Sequence, residues 1–266
     1  MEAPVPPRPE QNPASMGAMS GSLPAPDVSL HTVGREDGGH RGRKQRELLE
    51  HFGLRPASSV LEIGCGVGRL AYELADYFEE GGSYAGFDIS EVAIEWLNDH
   101  YAPVLPNFRF DFIDVSNPRF NPGGREVGGQ LRFPHPDAGF DLVCAFEVFM
   151  HMERDDVAGY LREVARVLRP GGRAVLTFMA VYDDAEPGRH FGRDFVPLGD
   201  GVYTRLPDRT GWSLGYHDDL IRQMVSDGGL RVDDTVEGSW HRPLEEPDDG
   251  PQHGCDVYVV SPIAAR

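Results

Sequence analysis

Residues 60–69 read Val60-Leu61-Glu62-Ile63-Gly64-Cys65-Gly66-Val67-Gly68-Arg69, and this stretch decides the fold. A short apolar run that stops in glycines reads as a buried strand entering a tight turn. Gly64 and Gly66 can take positive φ and let a ligand approach the backbone, while Gly68 lets the next helix pack closely on the strand. Helical spacing follows at once, with Leu70, Leu74, Tyr77 and Phe78 on one face. The pattern is GxGxG with an acid two places ahead. Arg69 stands where the dinucleotide-binding GxGxxG has its last glycine, so that fingerprint is broken.

The alternation continues outward from this unit. Tyr84 to Ile89 reads as a second strand, Ser90 as the N-cap of a helix carrying Ile94 and Leu97, and Phe108 to Val115 as a third strand. Phe140 to Phe146 is a fourth. Val157, Tyr160, Leu161, Val164 and Leu168 keep helical spacing up to Pro170-Gly171-Gly172, and Ala174 to Ala180 is a fifth strand. Leu220, Ile221, Met224 and Val225 mark a further helix, stopped by Gly228 and Gly229. Leu230 to Val236 and Asp256 to Val260 read as closing strands. Upstream, Leu48, Leu49 and Phe52 give a short helical face, and the basic run Arg41 to Arg46 reads as its solvated start. Strands alternating with helices predict a doubly wound α/β sheet, whose ligands bind beyond the carboxyl ends of the strands.

Composition bounds the rest. The chain has 266 residues, 43 acidic against 25 basic, and a formal net charge of −18. Such acidity disfavours undirected binding to nucleic acid or to an anionic membrane. No stretch approaches the ~18 apolar residues of a membrane span. The opening MEAPVPPRPEQ lacks the basic and apolar regions of a secretory signal, and Cys65, Cys144 and Cys255 form no CxxC pair, so a reduced, cytoplasmic setting is expected. Residues 1–28, rich in Pro, Ala, Ser and Gly, read as a disordered tail, leaving 29–266 as one domain.

Asp88 ends the second strand in Gly86-Phe87-Asp88-Ile89, where an acid can accept from both hydroxyls of a ribose. With the glycine turn it favours an adenosine-containing ligand. Here the sequence resembles the class I S-adenosylmethionine-dependent methyltransferases. The resemblance runs through VLEIGCGVGRL, YAGFDIS, Phe112-Ile113-Asp114-Val115, FDLVCAFEVFMHM and YLREVARVLRPGGRAVLTF, over roughly residues 45–180. It implies a Rossmann-like sheet of seven strands in the order 3-2-1-4-5-7-6, the seventh antiparallel. It also implies S-adenosylmethionine as cofactor and methyl transfer to a small-molecule acceptor through O, N or C.

Carried over by position, Glu62 addresses the methionine amino group, and Gly64, Cys65 and Gly66, with Gly68 behind them, form the loop at the methionine and ribose side. Asp88 holds the ribose hydroxyls, Ile89 lies on the adenine face, and Asp114 and the Val115 amide take the adenine edge. Phe146 and Glu147 border the sulfonium. Ile89 and Val115 also fit a plain core role, Asp114 a turn cap and Glu147 a solvated helix entry.

The sequence after the fourth strand, Cys144-Ala145-Phe146-Glu147, lacks the NPPY or DPPY element, which disfavours an adenine amine or a glutamine amide as acceptor. A single acid there does not make a Mg²⁺ site, and the histidines show no HExxH spacing, so no metal is expected. The Ser116–Gly139 link fits a surface loop or, preferably, a substrate wall. His151 reads as a brace for the following helix, and His51 and His100 as structural. Two other readings stand beside the leading one: an aminopropyl or other modified-sulfonium transferase on the same fold, and a non-catalytic adenosylmethionine-binding subunit.

Residues 182–216 form a connection far longer than the ~2–6 residues usual in such folds. It carries His190, Phe191, Phe195, Tyr203, Trp212 and Tyr216, with His217 just beyond. It fits either a packed extra layer or a lid over the acceptor. In the lid reading His190 or His217 is the general base, a role suited to an imidazole whose ordinary pKa is ~6.5.

Overall fold

A computed structural model of the chain describes residues 23–30, 40–183, 188–190, 193–209, 211–241 and 254–263, without the side chains of Arg189, His190, Arg193 and His241. The buried runs form the strands. After helix α1 (His40–His51) come β1 (Ser59–Ile63), α2 (Arg69–Leu74), β2 (Ser83–Asp88), α3 (Glu91–His100), β3 (Phe108–Phe112), β4 (Phe140–Ala145), α4 (Arg154–Val167) and β5 (Leu168–Phe178). A small layer follows, with β6 (Ala180–Val181), β7 (Arg189–His190), β8 (Arg193–Asp194), β9 (Val196–Gly199), β10 (Val202–Thr204) and β11 (Leu214–His217). Helix α5 (Asp218–Asp227), β12 (Leu230–Val236) and β13 (Asp256–Pro262) close the fold.

The main sheet has seven strands in the order β12-β13-β5-β4-β1-β2-β3. Strands β1 to β5 are parallel, and β13 runs antiparallel to both β5 and β12. This is the expected order. The direction of winding reverses between β1 and β4, and that switch opens a crevice at their carboxyl ends. Because successive strand residues face opposite sides, Leu61 and Ile63 join the apolar layer under α4 and α5, while Val60 joins the layer under α1, α2 and α3.

Several boundaries differ from the sequence reading. Leu23 is buried and the Tyr101 hydroxyl donates to the Pro24 carbonyl at 3.0 Å, so the end of the expected tail is seated on the domain. Leu168 already pairs with Phe140, and the ladder resumes only at Leu142 with Arg173, so Pro170-Gly171-Gly172 is a bulge inside β5 rather than a helix stop. The described residues of 182–216 build a packed layer. Strands β6, β11, β10 and β9 form a four-stranded sheet, and Phe195 and Tyr203 pack with Met150, Met179 and Trp240. Phe191 lies outside the described residues.

Candidate functional site

A cavity sits at the switch point, walled by the ends of β1, β2 and β4. Glu62 falls on the α1–α3 face of β1, where it is 4% exposed and accepts a hydrogen bond from the Tyr84 hydroxyl. Burial pushes its carboxyl up to about 8; the Tyr84 bond works in the opposite direction and the nearby Asp88 charge adds to the rise. A buried acid with such a shift is a natural partner for a bound cation.

Asp88 ends β2. Its Oδ2 accepts from the Gly66 amide at 2.7 Å and its Oδ1 from the Ser90 amide at 2.8 Å. The carboxylate is thus oriented by backbone, and a carboxylate is an acceptor suited to hydroxyls. Gly64 and Gly66 take φ of 71° and 52°, and a Cβ on Gly64 would fall 2.5 Å from Val148 Cγ2. Cys65 lines the cavity with them, as do Ile89, Val115 and Phe146.

Three expected site residues stand elsewhere. Gly68 (φ 80°) starts α2, and a Cβ there would meet Leu97 Cδ2 at 2.6 Å; it supports the loop from behind without lining the cavity. Asp114 is also absent from the wall. Its carboxylate accepts from Arg125 Nε at 2.6 Å and Asn121 Nδ2 at 3.1 Å, which hold its pKa below the ordinary value. His217 caps α5, its Nδ1 accepting from the Asp219 amide at 3.3 Å, and lines a separate open groove with Gly201 and Tyr203. The His190 side chain lies outside the described residues. No described residue beyond Tyr160 lines the cavity, so the 182–216 layer covers it with none of its described aromatic rings.

The structure also brings to the cavity residues to which the sequence analysis had given other or alternative roles. Arg41 lines the cavity and meets Glu147 at 3.1 Å, so the basic run is not wholly solvated. Glu147 itself takes φ of 58°, unusual outside glycine, and its amide donates to Thr177 Oγ1 at 2.8 Å. Asn117 and Phe120 make the first part of the 116–139 link a wall of the cavity. Farther on, the link packs on α4, where the Gly129 amide donates to Asp156 Oδ1 at 2.7 Å.

His151 is the main gain. It lines the cavity, is 8% exposed, and its Nδ1 lies 2.7 Å from the Trp212 carbonyl. A carbonyl only accepts, so Nδ1 carries the proton and Nε2 keeps a lone pair. Burial draws the imidazole pKa down to about 4, with the Arg119 charge adding to it and the Trp212 bond opposing. Arg119 is held between the rings of Phe120 and Trp212, 4.9 and 5.2 Å from their centroids, and donates to the Trp212 carbonyl. The long connection therefore reaches cavity-lining residues through the Trp212 carbonyl at His151 and the Tyr216 hydroxyl at the Met152 carbonyl.

Residues 61–176 match the family model described as a methyltransferase domain. Over that stretch the chain is similar to methyltransferase domains. A sterol 24-C-methyltransferase of Gibberella zeae is 26% identical over 231 residues, covering 82% of this chain and 53% of that protein. A 27-O-demethylrifamycin SV methyltransferase of Amycolatopsis mediterranei is 34% identical over 154 residues, 54% of this chain and 50% of that one. The chain thus spans about half the length of these curated relatives. The CcbJ methyltransferase of Streptomyces caelestis shares the fold, with a TM-score of 0.55, 18% identity, and 92% and 98% of the two chains covered. The cofactor is S-adenosylmethionine, and the residues present fit it: buried Glu62 suits a cationic group, and Asp88, oriented by backbone at the end of β2, suits a diol. No helix among the described residues is long and apolar enough to cross a membrane.

Proposed function

We propose that this chain transfers the methyl group of S-adenosylmethionine to a small-molecule acceptor in the cytoplasm. The observation that carries the reading is the pairing of buried Glu62 with backbone-oriented Asp88 in one cavity at the switch point. Glu62 takes the amino group, Asp88 the ribose hydroxyls, and Ile89 and Val115 flank the adenine, with Gly64, Cys65 and Gly66 along the methionine and Phe146 near the sulfonium. Residues 29–266 serve as the catalytic domain, and residues 182–216 as its supporting layer. The net charge of −18 favours a neutral or cationic acceptor over nucleic acid.

S-adenosylmethionine supplies a methyl carbon already activated by its sulfonium. The chain's own work is then placement, which accounts for much of the acceleration in such transfers, and removal of a proton where the acceptor is a hydroxyl or ammonium. We assign the base to His151, which lines the cavity, in preference to His190 or His217. Its Nε2 would receive the acceptor's proton as the methyl group is transferred. Trp212 holds the ring in the competent tautomer. Phe120 and the Arg119 stack set the wall beside it.

Calorimetry with S-adenosylhomocysteine tests the cofactor, and S-adenosylhomocysteine release from S-adenosylmethionine with a panel of phenol, amine and polyketide-like acceptors tests the transfer. His151→Ala is expected to lower turnover about 10²–10⁴-fold with cofactor affinity unchanged. Folded protein that gives no binding heat refutes the reading, and full turnover in His151→Ala returns the chemistry to placement alone.

A further inference from the structure

Two long connections meet at His151. From one side the 116–139 link brings a closed turn, in which Asn117 and Asn121 exchange backbone hydrogen bonds at 2.9 and 3.1 Å. Asn117 Oδ1 accepts from the Arg119 and Phe120 amides, each at 3.0 Å. Its Nδ2 is buried and donates to the His151 carbonyl at 2.9 Å, which ties the turn to the backbone of the imidazole residue. The Phe120 ring stands edge-on to that imidazole, with centroids 5.1 Å apart. From the other side the 182–216 connection brings Trp212, whose amide is anchored on the Arg209 carbonyl at 3.1 Å.

Arg119 joins the two. Its guanidinium lies over the Phe120 ring and over the Trp212 ring, and its Nη1 donates at 3.1 Å to the Trp212 carbonyl, the same oxygen that His151 Nδ1 meets at 2.7 Å. Among the described residues no carboxylate pairs with this half-buried cation, in a chain with 43 acidic side chains. Withdrawing a cation from water without an opposite charge is costly, and burial draws the Arg119 pKa below its ordinary value. Two rings and one carbonyl offset part of that cost. Two donors on one carbonyl fix its direction, and the hydrogen bond at Nδ1 sets the tautomer of the ring. The charge acts in the same sense. Arg119 from the link and Arg205 from the layer oppose protonation of His151, and Glu147 at the end of β4 favours it. A base that already carries a proton cannot receive one, so a cation beside the ring keeps it ready in a chain whose net charge is −18.

We propose that Arg119 is a positioning residue for His151: it clamps the Trp212 carbonyl against Nδ1 and thereby keeps Nε2 as the ring's acceptor. The inference rests on the reading of His151 as the base and deepens it. It gives the two connections one joint task at the cavity.

Long-range proton–nitrogen NMR of the imidazoles reads the tautomer and the titration of His151 directly and needs no acceptor; the signal missing from His151→Ala assigns it. The wild-type ring is expected to carry its proton on Nδ1, with Nε2 bare, throughout the neutral range. In Arg119→Met the ring should become a mixture of tautomers. Its titration should also move up by about one unit toward the ordinary ~6.5, because the lost cation outweighs the loosened Trp212 bond. Arg119→Lys keeps the charge and a donor without the planar stack, and should keep part of both properties. With an acceptor that turns over, Arg119→Met should lower kcat about tenfold or more at unchanged S-adenosylhomocysteine affinity, and should cost nothing further in the His151→Ala background. If Arg119→Met loses its cooperative melt, Arg119→Lys and the wild-type tautomer carry the test. A folded Arg119→Met with the wild-type tautomer and titration assigns Arg119 a structural role and overturns the inference. A wild-type ring protonated on Nε2, or a loss of turnover that adds to that of His151→Ala, overturns it as well; each of these outcomes leaves the cofactor reading standing. Full turnover in His151→Ala refutes the reading of His151 as the base, whatever the spectra show.

Discussion

Glu62 is an acid largely withdrawn from water, and its ordinary value of 4.5 rises to about 8. Between those values the folded chain holds a proton that the unfolded chain has released. The stability this group contributes is therefore complete below 4.5 and is lost as pH rises through about 8. Glu62→Gln removes that loss, so the melting temperature of the variant relative to wild type is expected to climb across this window in calorimetric scans. A cation seated beside the carboxyl favours its ionised form. Binding of S-adenosylhomocysteine near neutral pH should therefore release a proton, seen as a dependence of the observed heat on buffer ionisation enthalpy, and Glu62→Gln should abolish it. Asp88 makes a simpler prediction. Asp88→Ala removes the acceptor of the Gly66 and Ser90 amides, and with it the charged hydrogen bonds proposed to the ribose, each worth ~1.5–3 kcal/mol. Affinity for S-adenosylhomocysteine should fall at least tenfold, by about 1.4 kcal/mol or more, and unchanged affinity would remove Asp88 from the site.

Among the elements, helix α4 and the link that docks on it give the clearest case of packing against propensity. A Cβ on Gly159 would lie 2.6 Å from the Gly129 Cα and carbonyl oxygen. Alanine is the better helix former by about 1 kcal/mol, so propensity alone predicts that Gly159→Ala stabilises. Overpacking against fixed backbone costs ~1–3 kcal/mol. We expect net destabilisation in urea titrations, together with weaker docking of the 116–139 link. A stabilised variant would show that the link yields freely and is no rigid wall. The same link explains Asp114: once Asn121 and Arg125 fold back on the end of β3, they capture a carboxylate that the family pattern assigns to adenine.

At the scale of the whole molecule, one buried acid ties the small layer to the main sheet. Asp256 is fully buried at the start of β13 and accepts from the Ala180 and Gly238 amides at 2.8 and 2.9 Å and from Trp240 Nε1 at 2.6 Å. Asp256→Ala would strand these donors and the Tyr182 hydroxyl, which donates to Oδ1 at 3.4 Å, and loss of ~3 kcal/mol or more is expected from such a site. Chemical denaturation measures it. Because the same layer carries the Trp212 carbonyl that orients His151, the variant should also lose turnover more than cofactor affinity.

The sequence by itself determined the doubly wound sheet, its order through the resemblance, and the Glu62–Gly68 loop with Asp88, because these are encoded within single strand–turn–helix units. Period, glycine and a terminal acid are local signals. What only the tertiary structure decided lies between residues far apart along the chain. Arg41 reaches Glu147, Trp212 sets the tautomer of His151, and Arg125 draws Asp114 out of the cavity. The aromatic residues of 182–216 read equally as lid or as layer, since hydrophobic content states that a ring will be buried without stating against what. His217 became a helix cap and His151 the cavity imidazole for the same reason. A histidine's role follows from the donor, acceptor and charge beside it, and those neighbours are fixed only when the distant elements pack.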